Sequence, residues 1–181
     1  MRIITGKARG ARLISLPGDE TRPTAEKVKE GVFSAIQFDI GGRTVLDLFG
    51  GSGQLALEAL SRGADSAVIV DSSRQAADII RRNAANTGLI PDCRIVCADW
   101  KEYIKSASGK QKFSLIFLDP PYKAGFIDEV LKRLLAAGLA DDGAIIVSES
   151  AIDGVPEPIP GYTGKVYRYG KTCVTVMWAQ Q

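Results

Sequence analysis

The sequence predicts a doubly wound, Rossmann-like α/β fold, in which a mostly parallel sheet of seven strands ends in an antiparallel pair. Three observations support this prediction. Short apolar runs alternate with amphipathic helical patterns through most of the chain. Four of these runs have an aspartate at or near their ends, and a glycine-rich turn follows the first run. At 181 residues, the chain is long enough for one domain with a full core.

Two elements are expected before the alternating repeat begins. Residues 2–5 and 11–16 are strand-like and flank Gly6–Gly10, which predicts a β-hairpin with a basic tip. A helix is then predicted over Ala25–Gln37, where apolar residues recur at helical spacing, with Thr24 as its N-cap.

The repeat supplies the parallel strands and the helices between them. The predicted strands are Thr44–Leu48, Ala67–Val70, Arg94–Cys97, Leu115–Leu118 and Ala144–Val147. The predicted helices are Gln54–Arg62, Arg74–Asn86, Trp100–Ala107 and Phe126–Ala137. Residues 165–169 and 172–178 follow a proline-rich loop and predict the antiparallel pair. We therefore expect one domain over residues 1–181, with a basic hairpin extension over residues 1–18 and a ligand-binding core over residues 43–181.

The composition is typical of a globular protein, with 45% hydrophobic and 24% charged residues. No apolar run is long enough to cross a membrane, and the first residues lack the apolar segment of a signal peptide. Three cysteines, an odd number, fit a reducing compartment, so we expect a cytoplasmic protein. The chain has no histidine, which argues against a zinc site and against catalysis by histidine, and we expect no bound metal.

Positive charge is concentrated at the two ends of the chain. Residues 1–18 carry +4 and residues 161–181 carry +3, with no acidic residue in either segment, although the net charge of the chain is only +2. Two basic ends on a mildly acidic body fit a polyanionic partner. Solvated surface charge is the alternative explanation.

The four aspartates at the strand ends are Asp47, Asp71, Asp99 and Asp119. In an open α/β sheet, the carboxyl ends of the strands line the crevice in which ligands bind. A single aspartate there is often a helix N-cap or a turn residue, but four in successive units indicate a binding site. Asp71 also lies 20 residues after Gly51, the spacing at which an acid reaches the hydroxyls of a ribose.

Residues 47–53, Asp-Leu-Phe-Gly-Gly-Ser-Gly, form the glycine-rich turn, and the glycines let a ligand approach the backbone closely. The glycines alone also nearly match a dinucleotide-binding fingerprint. Asp47 separates the two possibilities, because a carboxylate beside a pyrophosphate would be repelled. S-adenosylmethionine has no phosphate and carries two cationic groups, so it fits better. Asp99 is then placed to accept from the adenine amino group, and Trp100 to pack near the ring.

Asp119, Pro120, Pro121 and Tyr122 follow the apolar run that ends at Leu118. The prolines have no N–H group and cannot continue a strand ladder. Their carbonyls and the Asp119 carboxylate can accept hydrogen bonds from an amine, and the Tyr122 ring can stack on a flat ring. The tetrapeptide therefore fits a planar exocyclic NH₂ group, and a loop that merely ends a strand is the alternative.

These motifs, in this order, resemble those of class I S-adenosylmethionine-dependent methyltransferases that act on an exocyclic amine. Arg9–Leu13, Arg22–Thr24 and Leu57–Ala64 are more closely similar to bacterial enzymes that methylate the N2 amine of a guanine in small-subunit (16S) ribosomal RNA. The resemblance runs from the first residues to about the fifth strand. The chain departs from the family pattern at Gly50, Gln54, Glu26 and Lys27.

The resemblance, taken with the motifs, implies roles for individual residues. The residues that it implies to be catalytic are Asp119, Pro120, Pro121 and Tyr122. The cofactor contacts that it implies are Asp47, Phe49, Gly50, Gly51, Ser52, Gly53, Asp71, Ser72, Asp99, Trp100, Arg22 and Thr24. The RNA contacts that it implies are Lys7, Arg9, Arg12 and Arg22, with Arg168 and Lys171 as weaker candidates. The implied partner is ribosomal RNA inside an assembling 30S particle, bound by a monomer.

For the reaction, the hypothesis is that Asp119 and the Pro120 carbonyl accept the two hydrogens of guanine N2. This would aim the nitrogen lone pair at the methyl donor, so that catalysis depends mainly on positioning. Tyr122 would stack on the extruded base, contributing about 1–3 kcal/mol. No strong base is required, so the absence of histidine is no obstacle.

Three other functions stay open at this point. A methyltransferase for adenine N6 or for a protein glutamine would share the proline–aromatic motif, but frequently with Asn in first place and with a separate target-recognition segment. A nucleic-acid-binding scaffold with an inactive methyltransferase fold is disfavoured by the four aspartates, and cofactor titration would identify it. A nicotinamide-dependent oxidoreductase leaves Asp47 and the loop after Leu118 unexplained.

Overall fold

The computed structural model describes residues 1–17, 23–120 and 126–180, and the side chains of residues 23–25 lie outside the description. The strands are β1 Thr44–Asp47, β2 Ser66–Asp71, β3 Cys93–Cys97, β4 Phe113–Leu118, β5 Ala140–Ala151, β6 Tyr162–Tyr169 and β7 Thr172–Ala179. They form a seven-stranded sheet in the order β3-β2-β1-β4-β5-β7-β6. Strands β1 to β5 are parallel to one another, and β7 is antiparallel to both β5 and β6. The predicted sheet is confirmed.

The order of the strands reverses between β1 and β4, which places a crevice at their carboxyl ends. β1 pairs with β2 on one side and with β4 on the other, so Asp47 lies level with both Ile69 and Phe117. Asp71 and Asp119 therefore stand two residues beyond the level of Asp47, one on each side of it.

The helices are α1 Pro23–Ala35, α2 Gln54–Ser61, α3 Arg74–Asn86, α4 Trp100–Ala107 and α5 Phe126–Ala136, with 3-10 turns at Ile90–Asp92 and Ile152–Gly154. Both faces of β4 are buried. Leu115 and Phe117 belong to the core beneath α1, α2 and α3, whereas Ile116 and Leu118 belong to the core beneath α4 and α5. A strand covered on both faces needs the continuous apolar run seen in the sequence. Within the described ranges, no helix is both long and apolar enough to cross a membrane.

Several element boundaries differ from the prediction, among them the start of β6, at Tyr162 rather than 165, and the bounds of β5 and α1. β5 has twelve residues rather than the four of 144–147, because its second half pairs with β7 as far as Ala151. α1 begins at Pro23, two residues early, since proline suits the first turn of a helix. The prediction of Thr24 as the N-cap is therefore wrong, because this residue lies inside the helix.

The first seventeen residues form what we call the N-terminal arm, in which the predicted hairpin is present in a reduced form. Arg2 and Arg12 make one isolated antiparallel bridge. Longer strands do not form, because the N–H groups of Ile4 and Thr5 donate to the Glu58 carboxylate of α2, at 2.7 and 3.0 Å, instead of to a partner strand.

Candidate active site

Four of the predicted site residues stand along the carboxyl edge of the sheet. Asp47 ends β1 and Asp71 ends β2, whereas Asp99 and Asp119 come shortly after β3 and β4. Since β2 and β4 flank β1, these acids follow one another along the edge, in the order Asp99, Asp71, Asp47 and Asp119. The point of strand reversal lies between the last two.

The turn after β1 is held against β2 by backbone contacts. The Gly50 N–H donates to the Val70 carbonyl at 2.8 Å, and a Cβ atom at Gly50 would lie 2.5 Å from Ile69 Cγ2. This packing explains why glycine, and no larger residue, stands at this departure from the family pattern. Gly51 has a φ of +54°, and a Cβ there would meet no atom within 4 Å. Gly51 therefore presents an open backbone face beside the acids.

Asp71 joins the turn after β1 to the turn after β2. Its two carboxylate oxygens accept the N–H of Gly51 at 2.9 Å and the N–H of Ser73 at 2.8 Å. These bonds use two of the roughly four lone-pair positions of the carboxylate. The others are suited to accept two adjacent hydroxyl groups, as the sequence predicts for a ribose. Ser72, which lies between Asp71 and Ser73, is exposed.

Asp47 is a buried acid with an orphaned oxygen. Its side chain is 1% exposed, and Oδ1 has no hydrogen-bond partner among the described residues. Burial raises the pKa of Asp47 to about 7, with a smaller rise from the Asp71 carboxylate, while the N–H groups of Phe49 and Ala56 act in the opposite direction. An orphaned carboxylate oxygen of this kind is suited to a cationic ligand group, which would restore its ionised form. The ammonium group of S-adenosylmethionine fits this requirement.

Three aromatic rings form an apolar wall beside the acids. The Phe49 and Trp100 centroids are 6.3 Å apart, and Phe126 lies 5.9 Å from the first and 5.5 Å from the second. Asp99 caps α4 by accepting the Lys101 N–H at 2.8 Å, which fixes the adjacent Trp100. Sequence reasoning missed Phe126, and its one signal was an aromatic residue at the start of the helix that follows the proline loop.

The end of β4 brings Asp119 and Pro120 to this edge, where the first is half-buried and the second buried. β4 is joined to the turn after β1 because the Leu48 N–H donates to the Phe117 carbonyl at 3.2 Å. The predicted contacts Pro121, Tyr122 and Arg22, and the Thr24 side chain, lie outside the described part of the chain. Ligands for a metal are not clustered here: the described residues contain no group of three or more acids, cysteines or histidines that could hold one.

Ser52 lies in the glycine turn, but its side chain is directed to the N-terminal arm. Its Oγ is 3.2 Å from Met1 Sδ, and its carbonyl accepts from Asn83 Nδ2 at 2.9 Å. The Ser52 hydroxyl is therefore engaged by the arm, and what this residue offers the crevice is its backbone.

The N-terminal arm runs along α2, and its predicted RNA contacts are spread over the length of that helix. The Lys7 N–H donates to the Ser61 carbonyl at the end of α2, and the Lys7 Nζ forms an ion pair with Asp92 at 3.0 Å. Arg9 is exposed in the same turn. Arg12 is at the opposite end of the arm, opposite Arg2 and near the glycine turn. Of the predicted RNA contacts that the structure describes, Lys7 and Arg9 therefore share the turn of the arm, whereas Arg12 lies at its other end.

Polar side chains from two helices fasten the arm. Ser61 Oγ donates to the Thr5 carbonyl at 2.6 Å and accepts the Ala8 N–H at 3.0 Å. Asn83, on α3, accepts the Ile14 N–H at 2.8 Å and donates to the Ile14 carbonyl at 2.9 Å. Both fastening residues are buried.

Sequence reasoning missed Glu58, Ser61 and Asn83. A signal for the first two was present, because the stretch Leu57–Ala64 was one of those that resembled the family together with Arg9–Leu13. The structure explains why the two stretches occur together, since Glu58 and Ser61 of Leu57–Ala64 hold the N-terminal arm that contains Arg9–Leu13.

The C-terminal basic residues lie at the same edge of the sheet as the crevice. β7 begins at Thr172, which pairs with Ala151 at the carboxyl end of β5. Arg168 and Lys171 flank this point at the turn between β6 and β7, and both are exposed. They can therefore face a ligand bound on the β4–β5 side.

The chain matches a family model described as "Conserved hypothetical protein 95" over residues 1–178. It is 35% identical over 165 residues to "Putative rRNA methyltransferase YlbH" of Bacillus subtilis (strain 168), which covers 88% of each chain. It is 32% identical over 157 residues to "Ribosomal RNA small subunit methyltransferase D" of Escherichia coli (strain K12), which covers 86% of this chain and 78% of that one.

A solved structure is similar over nearly the whole chain. "Putative methyltransferase yhhF from Escherichia coli" superimposes with a TM-score of 0.87 and 28% identity, covering 99% of this chain and 98% of that one. The predicted class I methyltransferase fold and the family resemblance are both confirmed. The chain belongs to the family described as Conserved hypothetical protein 95, whose model spans almost all of it.

Proposed function

We propose that this protein is an S-adenosylmethionine-dependent methyltransferase that modifies the N2 amine of a guanine in 16S ribosomal RNA. The observation that carries this proposal is the orphaned, buried Asp47 carboxylate between Asp71 and Asp119 at the point of strand reversal. One side of that point suits a cationic nucleoside, and the other presents acceptors for an amine. The names of the relatives support the choice of ribosomal RNA.

The cofactor side is formed by the ends of β1, β2 and β3. Asp47 would hold the ammonium group, Asp71 the ribose hydroxyls and Asp99 the adenine amino group. The turn Gly50–Gly53 would lie against the cofactor through its backbone, with Phe49 and the other two rings as the apolar wall. When bound, the cofactor supplies an electrophilic methyl group on a positively charged sulfur.

The acceptor side is formed by the end of β4. The Asp119 carboxylate and the Pro120 carbonyl would each accept one N–H of the target amine, which orients the nitrogen lone pair towards the cofactor side. The proton that the amine loses can pass to Asp119 or to solvent. Pro121 and Tyr122 complete the proposed catalytic loop, with the tyrosine ring stacking on the base.

The RNA contacts that we propose are Lys7, Arg9, Arg12 and Arg22. The substrate is the RNA of an assembling 30S particle in the cytoplasm, and the enzyme acts on it as a monomer. Residues 1–18 serve as the RNA-binding extension of a core that spans residues 43–181. Each phosphate contact contributes through the release of counterions, so RNA binding should weaken as salt rises.

The test is to incubate the protein with cofactor labelled on the methyl group and with 30S particles that lack the modification, and then to map the label by mass spectrometry. We expect label on N2 of one guanine. Label on adenine N6 or on a protein glutamine would contradict the proposal. A calorimetric titration that shows no heat of cofactor binding would also contradict it, and would indicate an inactive scaffold.

The Asp119→Ala variant tests the proposed role of Asp119 in the reaction. We expect its turnover to fall about 10²–10³-fold, the range for loss of one oriented hydrogen-bonding group in an active site, with little change in cofactor affinity. Turnover like that of the unchanged protein would remove Asp119 from the reaction.

A further inference from the structure

Arg2 and Arg12 face each other across the one bridge of the N-terminal arm. The bridge is a non-hydrogen-bonded pair, because the flanking bonds run from the Ile3 N–H to the Ala11 carbonyl and from the Leu13 N–H to a carbonyl on the other segment, at 2.9 and 3.1 Å. Pairs of this type bring opposite side chains closest together, with Cα atoms about 4.5 Å apart.

The two arginines project away from the protein. Side chains alternate between the two faces of an extended segment, and the neighbours Ile3 and Leu13 are buried in the core, at 0% and 7% exposure. Arg2 and Arg12 are therefore on the outer face, and both are exposed. Two guanidinium groups share one small patch of surface.

Within the described residues, neither guanidinium group has an ion-pair or hydrogen-bond partner. Other cations near the arm do have partners: Lys7 pairs with Asp92 at 3.0 Å, and Arg62 pairs with Glu58 at 2.8 Å. Like charges directly opposite each other destabilise a strand pair. A pair of this kind is suited to an anion that both groups can bind at once.

The backbone beneath the two arginines is held rigidly. Lys29 Nζ, on a side chain that is 2% exposed, donates to the Arg2 carbonyl at 2.6 Å. Two residues after Arg12, Ile14 makes its pair of hydrogen bonds with the buried Asn83. The backbone at both arginines is thus held before any ligand arrives, so only the two side chains have to be ordered on binding.

The same anchors touch the glycine turn. Asn83 Nδ2 donates to the Ser52 carbonyl at 2.9 Å, and Ser52 Oγ lies 3.2 Å from Met1 Sδ. The other end of the arm is beside Ser61, about 12 Å away along the eight residues of α2. The arginine pair is therefore at the crevice end of the arm.

We propose that Arg2 and Arg12 form a phosphate clamp that binds one phosphodiester group of the substrate RNA next to the target nucleotide. Two planar guanidinium groups can offer paired N–H donors to the oxygens of a single phosphate. Because the clamp is tied through Asn83 and Ser52 to the cofactor turn, it sets where the RNA lies relative to the methyl donor. Both arginines are positioning residues, and the proposal rests on the function proposed above.

The test compares Gln and Lys variants of both arginines with the same variants of Arg82, an exposed arginine on α3 without an assigned role. Binding of a labelled fragment of unmodified 16S RNA is titrated without cofactor at several salt concentrations. We expect Arg2→Gln and Arg12→Gln each to weaken binding about tenfold. The double Gln variant should lower the log–log salt slope by nearly one, because the pair neutralises one phosphate, and each single variant should lower it by less. The double Gln variant should lose less than the product of the single losses, because both groups bind one phosphate.

The Lys variants separate positioning from charge. They keep the charge, so the salt slope should stay, but they lose the planar fork, so the single-turnover rate at saturating RNA should fall about tenfold. The clamp is refuted if all four single variants of Arg2 and Arg12 bind RNA and turn over like the Gln and Lys variants of Arg82. Melting temperatures confirm that each variant is folded. If the unchanged protein transfers no methyl group while the Gln variants still flatten the salt slope, the clamp stands and the proposed function fails.

Discussion

The crevice edge of the sheet and the N-terminal arm use the same hydrogen bond, from backbone N–H groups to a carboxylate, in different settings. At the crevice, Asp71 ends β2 and accepts the N–H groups of Gly51 and Ser73, in turns that neighbouring strands already place. At the arm, Glu58 accepts the N–H groups of Ile4 and Thr5, in a segment with one backbone bridge of its own. The crevice therefore follows from strand register, whereas the arm depends on a few buried polar side chains.

Glu58 is the centre of the arm's anchorage. It is 0% exposed, and besides two arm N–H groups it contacts Arg62 Nε at 2.8 Å and Lys29 Nζ at 3.6 Å. Burial lowers the pKa of Lys29, and the Glu58 carboxylate opposes that effect. The carboxylate, which is itself fully buried, thus compensates two cations and two amides.

Glu58→Ala should have the largest effect on stability. It leaves the Lys29 charge buried and uncompensated, a change that typically costs about 3–5 kcal/mol. Urea denaturation should show this loss, together with proteolysis of the arm at protease concentrations that spare the unchanged protein.

Glu129→Ala is the matched control for this prediction. Glu129 also pairs with an arginine four residues later, Arg133 at 3.1 Å, but on an exposed surface. Its loss should cost far less stability than the loss of Glu58, because exposed ion pairs contribute little. Equal losses for the two variants would mean that the arm is not anchored by the buried carboxylate.

The contrast also explains what the sequence could predict. Asp47, Asp71 and Asp119 are placed by the ends of apolar runs, and the parallel sheet brings such ends to one edge, so their meeting could be expected from the pattern. Glu58 and Asn83 could not be recognised in this way, because a polar residue in an amphipathic helix is ordinarily assigned to the surface. Only the fold shows that arm amides need acceptors at those positions.

The same limit applies to the Ser52 side chain and to the reduced hairpin. Both depend on contacts between segments about fifty residues apart in the sequence, such as the contact between Ser52 and Met1. Local propensity carries no information about such pairs. The aromatic wall was predicted only in part, for the same reason. Trp100 directly follows a strand-end acid in the sequence, whereas Phe126 contacts Trp100 only in the folded structure.

Asp47→Asn tests the crevice side. The folded-state pKa of Asp47 is about 7 against an ordinary 3.8, so the unliganded protein loses stability as the pH rises from about 4 to 7. The difference of about 3 pKa units corresponds to at most about 4 kcal/mol. The Asn variant should therefore be the more stable protein at pH 8, and nearly equal at pH 4, by urea denaturation.

Cofactor binding should change in the opposite direction. In the unchanged protein, affinity for S-adenosylmethionine should improve as the pH rises through 7, because Asp47 becomes the anion that the ammonium group requires. The Asn variant should bind more weakly and without that pH dependence in calorimetry. Asp78→Asn, at an exposed acid on α3, serves as the control. If the affinity of the unchanged protein were as independent of pH as that of the Asp47→Asn variant, Asp47 would be excluded as the ammonium contact.

A comparison of Gly6→Ala with Gly10→Ala separates the stability cost of a steric contact from the cost of backbone strain. Both glycines have positive φ, at +89° and +84°, but only at Gly6 would a Cβ meet the Ser61 carbonyl oxygen, at 1.8 Å. We expect Gly10→Ala to cost about 1–2 kcal/mol from the left-handed backbone alone. Gly6→Ala should cost about 1–3 kcal/mol more, as overpacking does. Equal costs in urea denaturation would show that the arm does not press against α2 there.

Ser52→Ala should have the smallest effect, and it marks where the crevice ends and the arm begins. The change removes the contact with Met1 Sδ but keeps the Ser52 carbonyl that accepts from Asn83. A hydroxyl bond to a thioether is weak, so the stability loss should be no more than about 1 kcal/mol. If the hydroxyl belongs to the arm, calorimetry should show that Ser52→Ala lowers cofactor affinity no more than about twofold. In RNA titrations, Asn83→Ala should weaken binding far more than Ser52→Ala does. A tenfold loss of cofactor affinity on Ser52→Ala would instead assign the hydroxyl to the cofactor site.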